Sequence, residues 1–439
     1  MKFKLTKYTL VTLFFLGITN QAFSQEILTV EDAVKIALEN NFEIKIASNN
    51  AKIDATNVSL ANAGILPNLE GVLTNSNSIL DTKQTQSDGS TRELNNARNM
   101  NLSYGIALNW TVFDGFKMFA KHDQLKQIEQ LGNTELQFTI LSKVGDVLET
   151  YYQIVQQQQQ LKVLDSALII SKLRLDLANN RYTIGKASKL ESLNAEVDLN
   201  TDTTNLLRQK ELYANTKTFL NELLARDLTE NFIVSEEVAI DKSLVYADLK
   251  TNVSSQNPQL KIQLLNKRIA ELSLKQIKGD RYPTISLSSG YNFTRSESDL
   301  GFAAQSSGNG LVYGVNARMN IFNGSLQNRN EKAAKYAVEN AQISVEQQKT
   351  TLDSQLLSAY TTYLTNIQLS ELEDKNEKIA AQNLDITLEK FKIGIIATVE
   401  FRTAQLNYVN AKFRNTSAKF QAKLSEIALK ELAGNLDFQ

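Results

Sequence analysis

The single histidine, His122, is the first residue to weigh for chemistry, and nothing near it could join it in a reaction. It opens a long helical pattern with no second imidazole, zinc-ligand spacing or nucleophile in register. There is no cysteine, and no glycine-rich phosphate loop introduces a helix. Carboxylates are abundant, but they alternate with lysine and arginine along helical stretches, as solvated helix faces do. The formal net charge is −1, from 47 Lys+Arg against 48 Asp+Glu. No basic stripe is left to bind nucleic acid or an anionic membrane surface. The chain is therefore not read as an enzyme. No cofactor and no metal are expected, and the energy for its work must come from a partner.

What recurs at fixed spacing is glycine, proline and aromatic residues. A constant offset carries Asn41 onto Asn257, Lys45 onto Lys261, Ile46 onto Ile262, Ile53 onto Ile269 and Pro67 onto Pro283. After one change of offset the register resumes, with Tyr104 on Tyr313, Phe113 on Phe322, Gly115 on Gly324 and Tyr151 on Tyr360. It continues with Gly185 on Gly394 and Glu191 on Glu400. A period of about two hundred residues is far above that of solenoid repeats, so the chain reads as a duplicated half-protein. The first repeat spans 25–226, a linker 227–255 and the second repeat 256–439. Before them, Lys2, Lys4 and Lys7 precede an apolar stretch from Tyr8 to Ile18, and Ala22-Phe23-Ser24 forms a small-x-small cleavage site. Residues 1–24 are thus a secretory signal, whose apolar part is too short to span a bilayer. Without cysteine, the exported chain carries neither disulfides nor an acylated N-terminal cysteine.

Each repeat has the same order of elements. A helical stretch runs into Pro67 or Pro283, which stops it. Two strands follow, then a Phe113-Asp114-Gly115 or Phe322-Asn323-Gly324 turn, a very long helix, a glycine and a return helix. From Leu102 to Val112 every second residue is apolar (Leu102, Tyr104, Ile106, Leu108, Trp110, Val112), and the residues between are small or polar. Leu311, Tyr313, Val315, Ala317, Met319 and Ile321 repeat the pattern. Four strands of about 10 residues suit a membrane barrel, although an ordinary half-buried sheet would alternate in the same way. The helices decide between the two readings. Phe116 to Tyr182 contains no proline, and as one helix it spans roughly 100 Å. Leu141, Val144, Leu148, Tyr151 and Val155 form a coiled-coil seam, and after a phase slip at the glutamine run Gln156 to Gln160 a second follows at Leu161, Leu168, Leu175 and Tyr182. Leu357, Tyr360, Leu364 and Ile367 mark the seam of the partner helix. Four strands cannot close a barrel alone, and an open edge in lipid leaves backbone groups unpaired. The fold class that follows is an α+β membrane protein in which several chains share one barrel and their helices continue as a bundle in water. A structural coiled coil without a pore is the alternative, and it gives the apolar strand faces no purpose.

In the duplication, the proline before each first strand, the Phe-Asp-Gly or Phe-Asn-Gly turn and two tip motifs, the chain resembles the TolC-like outer membrane efflux protein family. The motifs stand as NRYTIGKASKLESLNAEVDL from Asn179 and EKFKIGIIATVEFRTAQLNY from Glu389. The resemblance covers essentially the whole chain after the signal. It implies a homotrimer sharing a twelve-stranded barrel in outer membrane lipid, with Tyr104, Leu108, Trp110 and Tyr313 facing that lipid and the helices reaching through the periplasm. It places Gly185 and Gly394 at helix-turn-helix tips where a periplasmic membrane-fusion adaptor docks. It also gives Tyr182, Glu191, Phe391 and Glu400 to the periplasmic gate. The implied function is a passive exit duct working with an inner-membrane pump, either of the resistance-nodulation-division class or an ABC transporter. An arginine that locks the entrance in the best-known relative is replaced by Ile396, so closure here needs another device.

Overall fold

The computed structural model describes residues 27–299 and 303–436, so the signal expected over residues 1–24 lies outside the described residues. The chain runs β1 (Ile27–Leu28), α1 (Val30–Asn40), α2 (Phe42–Asn57), β2 (Asn68–Thr85), β3 (Thr91–Phe113), α3 (Lys117–Thr183) and α4 (Lys189–Leu223). After these come β4 (Ile233–Val234), α5 (Tyr246–Gln256), α6 (Pro258–Gly279), β5 (Thr284–Ser298), β6 (Gln305–Arg318), α7 (Leu326–Lys392) and α8 (Thr398–Leu432). The long helices come in two lengths. Helices α3 and α7 have 67 residues each, and α4 and α8 have 35 each. The segment read as a linker, 227–255, holds β4 and most of α5. Two compact units form from interleaved stretches, one of Lys45–Thr139 with Ser254–Ser354, the other of Ile140–Val253 and Gln355–Gln439 with the residues up to Ile44.

The first unit contains an antiparallel sheet in the order β2-β3-β5-β6. Pro67 and Pro283 stand directly before β2 and β5, where a missing N–H costs no ladder bond. The register aligns the alternation of all four strands. Leu69 faces Leu108, Leu108 faces Ser289 and Ser289 faces Tyr313. The neighbouring rows set Leu73, Tyr104 and Phe293 side by side, and Trp110, Leu287 and Val315. Tyr104 and Phe293 stack at 5.1 Å. One face is therefore apolar across the sheet, while Asn68, Asn109, Ser288 and Gly314 form a row on the other. Two boundaries differ from the sequence reading. Strand β6 ends at Arg318, so Met319 and Ile321, expected on its apolar face, fall in the following turn. Strand β3 starts at Thr91, because its first residues are polar and pair only with β2; the last β3–β5 pair is Asn99 with Ser298.

Strand passes into helix through two successive left-handed residues, Gly115 (φ +76°) with Phe116 (+67°) and Gly324 (+67°) with Ser325 (+64°). The Asp114 carboxylate accepts from the Met118 amide at 3.0 Å and caps α3; Asn323 takes the same place before α7. At Gly115 a Cβ would lie 2.2 Å from the Gly279 carbonyl oxygen, whereas at Gly324 it would meet nothing within 4 Å.

In the second unit, Val144, Leu148, Tyr151 and Val155 are buried as the seam predicts, against Ala33, Val34 and Ala37 of α1, Leu220 of α4 and Leu224 just after it. Strand β1 pairs in parallel with β4. Tyr151 Oη donates to the Leu28 carbonyl at 2.8 Å and accepts from the Ser235 amide, and burial pushes its pKa up to about 12. Its repeat partner Tyr360 donates to the Leu244 carbonyl at 3.4 Å, the same bond in the second repeat. Helix α7 departs from the expectation. Its buried seam is Leu352, Leu356 and Tyr363, while Leu357 and Leu364 are exposed. The helix carries two apolar stripes, and the more regular one has no partner among the described residues of this chain. It continues through Leu372, Ile379, Ile386 and Ile393, which are 52–70% exposed. No described helix is long and apolar enough to cross a membrane.

Candidate functional site: the helix tips and the ion network behind them

Helices α3 and α4, and α7 and α8, are joined by short turns that close in the same way. The Gly185 amide donates to the Tyr182 carbonyl at 3.0 Å and the Lys186 amide to Arg181 at 2.8 Å. The Gly394 and Ile395 amides donate to Phe391 and Lys390 at 3.0 and 3.1 Å. This paired closure needs a left-handed residue, supplied by Gly185 (φ +73°) and Gly394 (+78°). Added Cβ atoms there would meet nothing within 4 Å. Glycine is thus required by backbone angle, not by crowding.

The other sequence-derived tip residues are not equivalent between repeats. Tyr182 is exposed, its ring 5.4 Å below the Lys189 ammonium. Phe391 is buried and lies flat on Phe401, with centroids 4.8 Å apart, in a small core completed by Leu384 and packed by Ile396. Glu191 pairs with Arg181 at 3.3 Å and accepts a hydrogen bond from Thr398, so it braces α4 against the first turn of α8. Glu400 is exposed and has no ion pair or hydrogen bond through its side chain among the described residues.

Behind the tips lies a feature that the sequence reading missed. The buried seam of α3 here is Leu164, Ala167, Ser171, Arg174 and Ala178; the expected Leu168 and Leu175 are only partly covered. Arg174 is fully buried and pairs with Asp198 of α4. Arg402 of α8 grips Asp202 of α4 with two bonds, 2.7 and 2.9 Å, and its Nε lies 3.7 Å from Asp198. Ser171 donates to Asp202, and Gln405 donates to Ser171 at 2.9 Å. Burial lowers the Arg174 pKa from its ordinary value; Asp198 opposes this and the second guanidinium adds to the fall. Burial acts on Arg402 in the same direction, but bonding and charge from Asp202, then Asp198, more than offset it and leave that pKa raised. The arrangement ties α3, α4 and α8 together with charge. It holds no acid–base pair poised for catalysis, and no metal-binding group of His, Cys, Asp and Glu occurs among the described residues. One signal could have revealed it: a charged residue standing in a core position of an otherwise apolar or small-residue seam.

Comparison with known proteins gives this geometry its class. The fold is that of outer membrane channels. The Campylobacter jejuni channel CmeC superposes with a TM-score of 0.78 at 17% identity, covering 92% of this chain and 85% of that one. VceC of Vibrio cholerae gives 0.75 at 14%, covering 92% and 96%. The open-state MtrE channel of Neisseria gonorrhoeae gives 0.74 at 14%, covering 92% and 89%. No curated protein sequence matches. The family description "Outer membrane efflux protein" matches residues 33–226 and 251–435. The chain belongs to the outer membrane efflux protein family, and its place is the outer membrane.

Proposed function

We propose that three copies of this chain form a passive exit duct through the outer membrane, serving an efflux or type I secretion machine. The observation that carries this reading is the sheet. Its one apolar face suits lipid, and its outer strands β2 and β6 have free edges among the described residues. Lipid tolerates no unpaired edge. Three copies of four strands, β6 of each against β2 of the next, make a closed barrel of twelve. Tyr104, Leu108, Trp110 and Tyr313 then face lipid. The unpartnered stripe of α7 packs on a neighbouring copy, and the helices reach into the periplasm. A pore-free coiled coil would account for the helices and leave the apolar sheet face without a use.

The tips at Gly185 and Gly394 are the docking points of a periplasmic adaptor, which links the duct to an inner-membrane pump. At the entrance, Glu400 and Tyr182 are the exposed members of the gate. Glu191 braces the two hairpins, and Phe391 stiffens the second. The arginine–aspartate network behind the tips takes the closing role that an arginine at Ile396 would have had.

Leu108→Arg is expected to abolish stable trimers in the outer membrane, since arginine facing mid-bilayer lipid costs about 2–4 kcal/mol. Asn109→Arg should assemble normally, because Asn109 is on the opposite face beside Glu70. Heat-modifiable trimers in detergent-extracted membranes are the readout, and equal tolerance of both changes would remove the barrel assignment. For the entrance, Glu400→Gln should lower the cation-to-anion permeability ratio in planar bilayers and weaken block by polyvalent cations. Glu191→Gln should do less, since Arg181 already offsets that charge. An unchanged ratio in Glu400→Gln would put this carboxylate outside the pore.

A further inference from the structure

The segment after β4 has no helix or strand from Ser235 to Lys242, and its side chains divide between two cavities. Glu236, Val238 and Lys242 line one, Ser235, Glu237, Ala239 and Asp241 the other, and Ile240 lines both. Charge sorts the same way. The second cavity is acidic, with Glu31, Glu237, Asp241 and Glu426 against Lys423 and Lys430. The first is basic. It has a volume of about 870 Å³ and is lined by α3, α7, α8 and this segment. Tyr152, Val155 and Val163 of α3, all buried, give it an apolar floor with Val238 and Phe420. Six lysines surround it: Lys162, Lys242, Lys375, Lys378, Lys412 and Lys419. Glu236, Glu371 and Asp374 answer them, and Glu377 beside the cavity pairs with Lys412. Asp374 is shared between Lys378 at 2.7 Å and Lys419 at 3.3 Å. Lys375 is exposed and has no ion pair or hydrogen bond through its side chain among the described residues. Six ammonium groups against four carboxylates leave an excess of two positive charges.

We infer that this basic cavity binds a compact amphipathic polyanion, a ring-sized apolar body bearing two or more sulfonate, phosphate or carboxylate groups. Its volume is that of an ordinary small-molecule site, and an apolar floor beneath a few polar groups is the usual lining. Exposed ion pairs contribute little, so the paired lysines can turn to a ligand at small loss. The cavity is also distinct from the surface proposed to meet a neighbouring copy. On α7, Leu372 and Ile379 of the exposed stripe stand about a third of a turn from Asp374 and Lys378. A bound ligand touches α3 of the first hairpin together with α7 and α8 of the second, which adds a hold between them. Binding requires neither the barrel nor the duct.

The test uses the full chain in a neutral detergent and pyrenetetrasulfonate, a rigid aromatic polyanion, read by fluorescence anisotropy. Affinity should fall about tenfold between low salt and about 300 mM. It should fall by a similar factor in Lys375→Gln/Lys419→Gln, which removes the excess charge, and be kept in Lys375→Arg/Lys419→Arg. Glu31→Gln/Glu237→Gln, altered in the acidic cavity, should bind as the unaltered chain does. Inorganic sulfate should compete about a hundredfold more weakly, because it has no apolar body to bury on the floor. Melting temperatures of the variants without ligand separate lost binding from lost fold. No binding by the unaltered chain, or full binding by the glutamine variant, would overturn the site. Sulfate competing as well as the aromatic probe would leave a patch of charge and remove the amphipathic ligand.

Discussion

Gly115→Ala is expected to cost about 2–5 kcal/mol and to leave little heat-stable assembly of the proposed trimer, while Gly324→Ala at the matching turn costs about 1–2 kcal/mol. Both glycines stand at positive φ, so both variants carry the strain of a left-handed alanine. Only at Gly115 does the new methyl group also collide. It would sit 2.2 Å from the Gly279 carbonyl oxygen and 2.9 Å from Tyr282 Cβ. Neither obstacle is the loose end of a flexible side chain. Gly279 is itself confined, since its own Cβ would come within 2.9 Å of the Gly115 carbonyl oxygen. The two backbones touch, and neither can back away without moving β3 or α6. The dissociation temperature of detergent-solubilised trimers reports the difference. Equal shifts for the two variants would mean that the close approach relaxes freely and that the turn is held only by its dihedral angles.

That contrast shows what the sequence could and could not reveal. Matching Gly115 to Gly324 correctly marked both as turn glycines, because a shared left-handed backbone leaves the same residue in both repeats. It could not show that one of them is also crowded, since the crowding comes from a residue more than a hundred positions away. The strands were legible for a related reason. Alternation is a local property, and the register carries it across all four strands, so Leu108 and Tyr313 fall in one row as their patterns imply. Where polarity hides the alternation, at Thr91 to Asn101 of β3, the strand's true start was invisible. The tip glycines were legible down to the dihedral angle. Tyr182 and Phe391 were paired by the repeat, yet one is exposed and the other packs against Phe401. Identical backbones do not oblige identical neighbours. The ion network was missed for the same cause in reverse. Its members are not duplicated: the repeat partners of Arg174, Asp198, Asp202 and Arg402 are Asn383, Asn407, Ala411 and Leu193. A search guided by what recurs passes over the residues by which the halves differ.

Arg402→Leu is expected to hold the proposed duct partly open. Arg402 is the charged member of the network on α8, and its bonds to Asp202 and Asp198 join α8 to α4, which belongs to the other hairpin. Removing one partner of a buried pair costs about 3–5 kcal/mol, because the charge left behind stays desolvated and unpaired. Asp202 is 8% exposed and would keep only its bond from Ser171. The strained state is the one in which the hairpins are packed together. The variant can relieve the strain by letting α8 separate from α4, so that water reaches Asp202. Conductance in planar bilayers should therefore rise, with longer open events than in the unaltered protein. The double variant Arg402→Leu/Asp202→Leu separates a latch from simple packing. Replacing both partners by apolar residues is often neutral for stability, so assembly and dissociation temperature should return towards those of the unaltered trimer. If packing alone closes the entrance, the single variant is open only because a buried aspartate is unsatisfied, and the double variant should close again. Arg174 and Asp198 remain paired in it. A double variant as leaky as the single one would mean that closure needs the Arg402–Asp202 bonds themselves. A single variant with unchanged conductance would show that the hairpins stay together without Arg402 and that the entrance closes elsewhere.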